Sequence, residues 1–171
     1  MNSRAEGLLA AQNVRSVTLS PEMSAEEIAA LPQAQLERIL PVYGRVRLMT
    51  LAHCPERVYR GLSGGRAHCD LCARGEGVSG RCLTDRLRAD YPLRPVRLPE
   101  GCRVDVLADK PLNLLVCQEA LKKIDASCLL SFTTEDRETA LRVLAACRTL
   151  MEGGVASLPG GTIGRFADGV L

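Results

Sequence analysis

The sequence predicts an α/β fold: a partial (β/α) barrel of the TIM type, interrupted by a cysteine-rich irregular insertion. Three observations predict it. β-rich and amphipathic segments alternate before residue 52 and again after residue 102. Between them the periodicity disappears, and Gly, Pro, Cys and Arg dominate. With no Trp, three Tyr and two Phe, the core has to be built from aliphatic side chains.

Residues 3–12 read as a short helix, and 14–19 alternate with β-branched residues as a strand that Pro21 ends. Ser24 with Glu27 three positions on is a capping box, opening a helix over 25–31 that stops at Pro32. Residues 39–51 are apolar and β-rich around Gly44, hence one or two strands. This strand–helix–strand spacing is the signature of a parallel sheet. Within 52–101 only 81–84 and 91–97 look β-like, and they suit a hairpin. Regular structure resumes with a strand at 103–107, an amphipathic helix at 112–123 and a strand at 128–132. Thr133 is placed to cap a last helix over 135–151, with Asp136 three positions on and a stripe of Leu141, Leu144, Cys147 and Met151. Gly153-Gly154 ends it, and a Gly-rich tail follows. The count is about half of an eight-stranded barrel, which takes roughly 250 residues.

At 171 residues the chain fits one domain, 1–171, with 52–102 as a metal-binding insertion within it. No apolar run approaches the roughly 20 residues that span a bilayer. The first residues lack a small-residue cleavage site, so no membrane association and a cytoplasmic location are expected. The net charge of +2 hides an asymmetry. Residues 37–103 hold thirteen arginines against seven acids, a net +6, and the remainder is −4. Arginine suits bidentate contact with phosphate or carboxylate, so an anionic substrate or RNA is the expected partner of this region; a solvated surface is the plain alternative.

The eight cysteines divide in two. Cys117, Cys128 and Cys147 fall on apolar faces and read as buried core thiols. Cys54, Cys69, Cys72, Cys82 and Cys102 lie in or beside the irregular stretch. Cys69-Asp70-Leu71-Cys72 is a C-x-x-C knuckle, a spacing that lets two thiolates face one ion. Cys54 and Cys102 each adjoin an expected strand, and strand ends on one barrel rim converge. The candidate ligand set is therefore Cys54, Cys69, Cys72 and Cys102, for Zn(II) or a [4Fe–4S] cluster alike. Cys82 is the spare, expected as a buried thiol. A redox dithiol competes for Cys69 and Cys72, but no clear strand precedes them. His53 and His68 each precede a cysteine and are secondary candidates for ligand or base. Residues 61–65 are Gly-rich but read as a loop. No zincin, nucleophile-elbow or phosphate-loop motif appears, so the catalytic residues stay unidentified.

Several phrases are collinear with the collagenase-like peptidases of family U32. Val17-Thr18-Leu19-Ser20-Pro21-Glu22 resembles the family's VTLSPEL, and the stretch from Val42 to Met49 resembles VYGRxPLM. His53-Cys54-Pro55 resembles YCP, and Leu83-Thr84-Asp85-Arg86 with Tyr91-Pro92 resembles LxDRxGxxFP. Cys102-Arg103, Asp109-Lys110-Pro111-Leu112, Phe132-Thr133-Thr134-Glu135-Asp136 and the stretch from Thr162 to Val170 are similar to later family phrases. The resemblance implies a barrel-like fold, of which this chain is the C-terminal part, and a hydrolase label, a protease of unknown catalytic type. It also implies kinship with iron–sulfur proteins that hydroxylate RNA bases or a quinone precursor. Their cluster ligands map onto Cys54, the Cys69/Cys72 knuckle and Cys102. The chain departs from them in one place: where some of those relatives carry a cysteine within a strand, Arg47 or a neighbour stands here. A barrel half also implies a homo-oligomer or a missing N-terminal half. A zinc-stabilised RNA-binding module is the competing reading.

Overall fold

The computed structural model describes residues 3–32, 36–62, 69–99 and 101–167. The protein is mixed α/β, with parallel and antiparallel sheets and no closed barrel among the described residues. It divides into two compact units, one made of 1–44 with 111–171 and the other of 45–110. The insertion is therefore larger than the expected 52–102 and carries its own strands.

The first unit begins with helix α1 (Ser3–Ala11), strand β1 (Ser16–Thr18) and helix α2 (Ala25–Ala29). The expected capping box opens α2: Ser24 Oγ accepts from Glu27 N at 3.1 Å, and Glu27 Oε2 accepts from Ser24 N at 2.8 Å. Strand β2 (Glu37–Gly44) runs parallel to β1 and to β8 (Ser127–Ser131), so the parallel βαβ order is realised. Gly44 ends β2 because only glycine fits there. Its φ is +132°, and a Cβ would lie 2.8 Å from that of Ser131. Helix α1 is fastened to β2 by a buried ion pair. Arg38 donates to Glu6 at 3.0 and 2.8 Å and to the Pro32 carbonyl at 2.6 Å.

Residues 112–123 are not the expected single helix. Strand β7 (Leu112–Asn113) pairs antiparallel with the end of β2, a 3₁₀ turn follows at Leu114–Val116, and helix α4 is only Gln118–Leu121. The tail overrides the helical pattern. Asn113 is 2% exposed and donates its amide to the carbonyls of Leu158 and Gly160, both at 2.8 Å, while its N–H bonds Thr162 O at 2.8 Å. The Gly-rich tail thus has a defined path through residue 167. Its last residues, Asp168 to Val170 among them, lie outside the described residues.

Helix α5 (Arg137–Met151) is capped by Asp136, whose carboxylate accepts from Thr139 N at 2.7 Å, and not by Thr133. Its buried face is Val143, Ala146, Cys147 and Leu150. Of the expected stripe only Cys147 is buried. Leu141, Leu144 and Met151 stand 51%, 47% and 75% exposed.

The second unit is a four-stranded antiparallel sheet in the order β3-β6-β5-β4. Its strands are β3 (Arg47–Leu51), β4 (Cys82–Thr84), β5 (Asp90–Leu98) and β6 (Gly101–Leu107), and helix α3 (Pro55–Tyr59) follows β3. The stretch expected to be irregular therefore contains two strands, β4 and β5, and the start of a third, β6. The hairpin at 81–84 and 91–97 is present as β4 and β5. Asp85 builds its turn by accepting from Leu87 N at 2.7 Å and Ala89 N at 3.0 Å. β5 contains Pro92 and Pro95, and β4 accompanies it only as far as Pro92. One face of the sheet carries a core of Cys54, Val78, Leu93, Val104 and Val106. On β6, Asp105 is 2% exposed, and its carboxylate accepts from Thr50 Oγ1 and Arg94, both at 2.7 Å. Burial pushes its pKa up, but these two donors outweigh burial and hold the carboxyl below its ordinary range. Among the described residues no helix is long and apolar enough to cross a membrane.

Candidate metal centre

Cys54 leaves the end of β3 and occupies the N-cap position of α3, with Pro55 at the first helical turn. Its side chain turns inward, 6% exposed, within the unit's core, and Cys72 packs against the same core. Cys102 is the second residue of β6 and pairs across the ladder with Arg97 of β5.

The knuckle is a compact turn. Arg74 N donates to Asp70 O at 3.1 Å, Gly75 N to Cys72 O at 3.3 Å and Glu76 N to Leu71 O at 2.8 Å. Leu71 is 3% exposed, which anchors the turn from within. Gly77 closes over Cys72 so tightly that a Cβ there would lie 2.8 Å from the Cys72 Cα and N, and closer still to its Sγ. A glycine is needed for that close approach, not for its φ.

A carboxylate positions the knuckle relative to α3. Glu56 is buried and accepts from Arg60 at 2.7 Å and from Arg81 at 3.2 Å. Arg60 also reaches Glu76 at 2.8 Å, and Arg81 donates to Gly77 O at 3.1 Å. The residue after Cys54-Pro55 is thus tied to the segment that follows Cys72. The Arg60 hydrogen bond, opposed by burial and assisted by the charge of Arg81, holds the Glu56 carboxyl below its ordinary range.

Cys69, Cys72 and Cys102 line one pocket with Pro95, Arg97, Leu98 and Gly101, and its volume is about 90 Å³. The thiols sense one another. Burial pushes the Cys102 thiol up, and negative charge on Cys69, Cys54 and Cys72 pushes it further, against the pull of Arg57. Cys69 moves the other way: burial raises it, but the Leu71 N–H and the Arg57 guanidinium outweigh burial and lower it. An N–H two residues on, aimed at the first sulfur of a C-x-x-C turn, favours thiolate there. Among the described residues no group of three or more His, Cys, Asp or Glu side chains is arranged to hold a metal ion. The donor chemistry still fits a thiophilic cation, because among the described residues the pocket wall holds three thiols and no carboxylate or imidazole.

All four expected ligands therefore fall in one neighbourhood. Cys82 does not belong to it, and it is exposed rather than buried. Cys147 is buried as expected, whereas Cys117 and Cys128 are half-buried, and Cys117 lies at the N-cap of α4 and not on a helix stripe. His53 is exposed beside a groove with Pro55, Val58 and Tyr59, while His68 and residues 63–65 lie outside the described residues. Of the arginines in the basic region 37–103, Arg57, Arg60 and Arg81 adjoin the site, and Arg74 pairs with Asp70 at 3.1 Å. Arg45 donates to Ala108 O at 2.7 Å, Arg47 neighbours Asp105, and Arg66 lies outside the described residues. Sequence reasoning missed Glu56, Gly77 and Arg97. Only the Glu56–Arg60 spacing of four offered a signal.

No known family profile, curated protein or solved structure matches the chain.

Proposed function

We propose that residues 45–110 are a metal-binding module in which Cys54, Cys69, Cys72 and Cys102 supply four thiolates to Zn(II) or a [4Fe–4S] cluster. One observation carries the reading: three of these thiols line a single pocket, and the fourth packs in the same small core as Cys72. Bound there, zinc supplies folding free energy and a cluster supplies one-electron chemistry. The chain's own residues prepare the site. The Leu71 N–H and Arg57 favour thiolate at Cys69, the Glu56 network sets α3 against the knuckle, and Gly77 leaves room over Cys72.

We place the module in a chain of the U32 type, the C-terminal part of a collagenase-like peptidase barrel. The support is the run of collinear phrases together with the parallel strands β1, β2 and β8, the arrangement a barrel segment has. A hydroxylation-type iron–sulfur enzyme acting on RNA bases or a quinone precursor is the reading to which a cluster would point. The net charge of residues 45–110 is +5, and Arg86, Arg88, Arg97 and Arg103 are exposed, which favours an anionic substrate or RNA over a cationic one.

Metal analysis of single Cys→Ser variants, purified anaerobically, tests the assignment. Stoichiometric metal in the parent should fall at least several-fold in the variants at 54, 69, 72 and 102 and stay unchanged in Cys82→Ser. Full occupancy after Cys69→Ser or Cys72→Ser would sink it. A brown parent protein identifies a cluster and a colourless one zinc.

A further inference from the structure

Helix α3 turns two of its residues toward the candidate centre. Cys54 is its N-cap and Arg57 follows three positions later, so the two lie one turn apart on the same side of the helix. Cys54 enters the core of the unit. Arg57, half-buried, reaches the knuckle, where its guanidinium donates to the sulfur of Cys69. Its charge is also felt at Cys102 on β6. One cation thus stands among thiols contributed by three separate segments: the start of α3, the knuckle and the sheet.

The other arginines around the knuckle are committed to carboxylates. Arg60 and Arg81 hold Glu56 at 2.7 and 3.2 Å, and Arg74 holds Asp70 at 3.1 Å. Arg57 is the one that goes to sulfur. Four thiolates around one divalent ion carry more negative charge than the ion cancels. Here they would do so beside the apolar walls of Pro95 and Leu98, which strengthen charge interactions. A guanidinium bonded to one sulfur offsets the excess and draws electron density from that sulfur. Partners of this kind, outside the ligand set, are worth about 10–100-fold in metal affinity, and hydrogen bonds to sulfur also set the reduction potential of a cluster.

We propose that Arg57 is a positioning residue of the metal centre: its guanidinium donates to the ligating sulfur of Cys69 and supplies the counter-charge to the bound thiolates. The assignment rests on the four-thiol reading above and adds the residue that decides how tightly that site holds its ion.

The test is the Zn(II) affinity of the metal-stripped full chain, measured by competition with a chromophoric chelator, together with the absorption spectrum of the Co(II)-loaded protein. Arg57→Met keeps the length of the side chain and removes donor and charge, and it should weaken Zn(II) binding about 10–100-fold. A hydrogen bond lowers the energy of the sulfur lone pairs, so the thiolate-to-Co(II) band should move to longer wavelength when that bond is lost. Arg57→Lys should restore the band and most of the affinity, because an ammonium also brings a charge and a donor to a single acceptor. Arg57 additionally donates to the Leu62 carbonyl at 3.4 Å, a second contact that one ammonium does not reproduce. Failure of Arg57→Lys to rescue would therefore assign the arginine to the loop and overturn the proposal. Arg103→Gln removes the same charge beside Cys102 but on the opposite face of β6, where it is exposed and screened, and should change the affinity less than about twofold. A loss there equal to that of Arg57→Met would reduce the effect to net charge and overturn the proposal as well. A parent that takes up neither Zn(II) nor Co(II) sinks the four-thiol reading and this role with it. A parent that binds, with unchanged affinity in Arg57→Met, sinks the role of Arg57 alone.

Discussion

If the four thiols hold a metal as proposed, its removal is expected to unfold residues 45–110 and leave the other unit largely folded. Among the described residues, one cluster of five buried side chains, Cys54 itself among them, forms this unit's core with Leu51, Cys72 and Tyr91 packed around it, and Leu71 and Leu107 are buried besides. Such a core is small for a sheet of four strands with a long excursion between α3 and β4. The excursion holds a knuckle whose backbone bonds are local turns; buried Leu71 and Val78 and the Glu56–Arg81 pair hold it through side chains, and the thiol site adds the remaining tie. A structural tetrathiolate site contributes on the order of 10 kcal/mol to folding, more than the whole stability of many small domains. Amide hydrogen exchange before and after chelation measures this directly. Protection should collapse in β5 and β6 and persist in β8 and α5. Unchanged protection of β5 and β6 in metal-free protein would mean that the sheet stands without the ion. Acid should act in the same direction as the chelator, because protons compete with metal for the thiolates.

Glu6→Ala is expected to cost about 3–5 kcal/mol, the scale for breaking a buried ion pair by removing one partner. Glu6 and Arg38 are 5% and 9% exposed, and two hydrogen bonds of 3.0 and 2.8 Å join them. Without Glu6, the guanidinium keeps, among the described residues, the Pro32 carbonyl at 2.6 Å, and its charge stays out of water. The loss falls on the contact between α1 and β2. The double variant Glu6→Leu/Arg38→Met should recover most of it, since an apolar pair of similar volume carries no desolvation penalty. Denaturant midpoints of the three proteins check both statements. A loss under 1 kcal/mol in Glu6→Ala would show that water reaches the pair.

The local devices were legible in the sequence because they are made by residues close along the chain. The Ser24–Glu27 box, the break at Gly44, the hairpin of β4 and β5 and the C-x-x-C turn all lie within a few residues of their causes. The parallel order of β1 and β2 followed from strand–helix–strand spacing. The clustering of Cys54, Cys69, Cys72 and Cys102 around one stretch was likewise visible, because 54 to 102 has little regular apolar patterning.

What depends on partners far along the chain was decided only by the tertiary structure. Residues 112–123 have helical periodicity, but Asn113 donates to three carbonyls of the tail at 158–162, and that bonding holds the first two residues as strand β7. Helix α5 existed in the pattern, yet its phase did not. Leu141, Leu144 and Met151 and the set Val143, Ala146 and Leu150 are both apolar lines on the same helix, and periodicity does not say which one meets the sheet. At the candidate centre the sequence supplied the thiols but not what holds them. Glu56 is an ordinary surface residue of a short helix until Arg60 and Arg81 converge on it. Gly77 is one glycine among fifteen until Cys72 arrives beneath it. Composition and spacing determine which groups are available, and only packing across long sequence separations determines which are desolvated, paired and brought to one place.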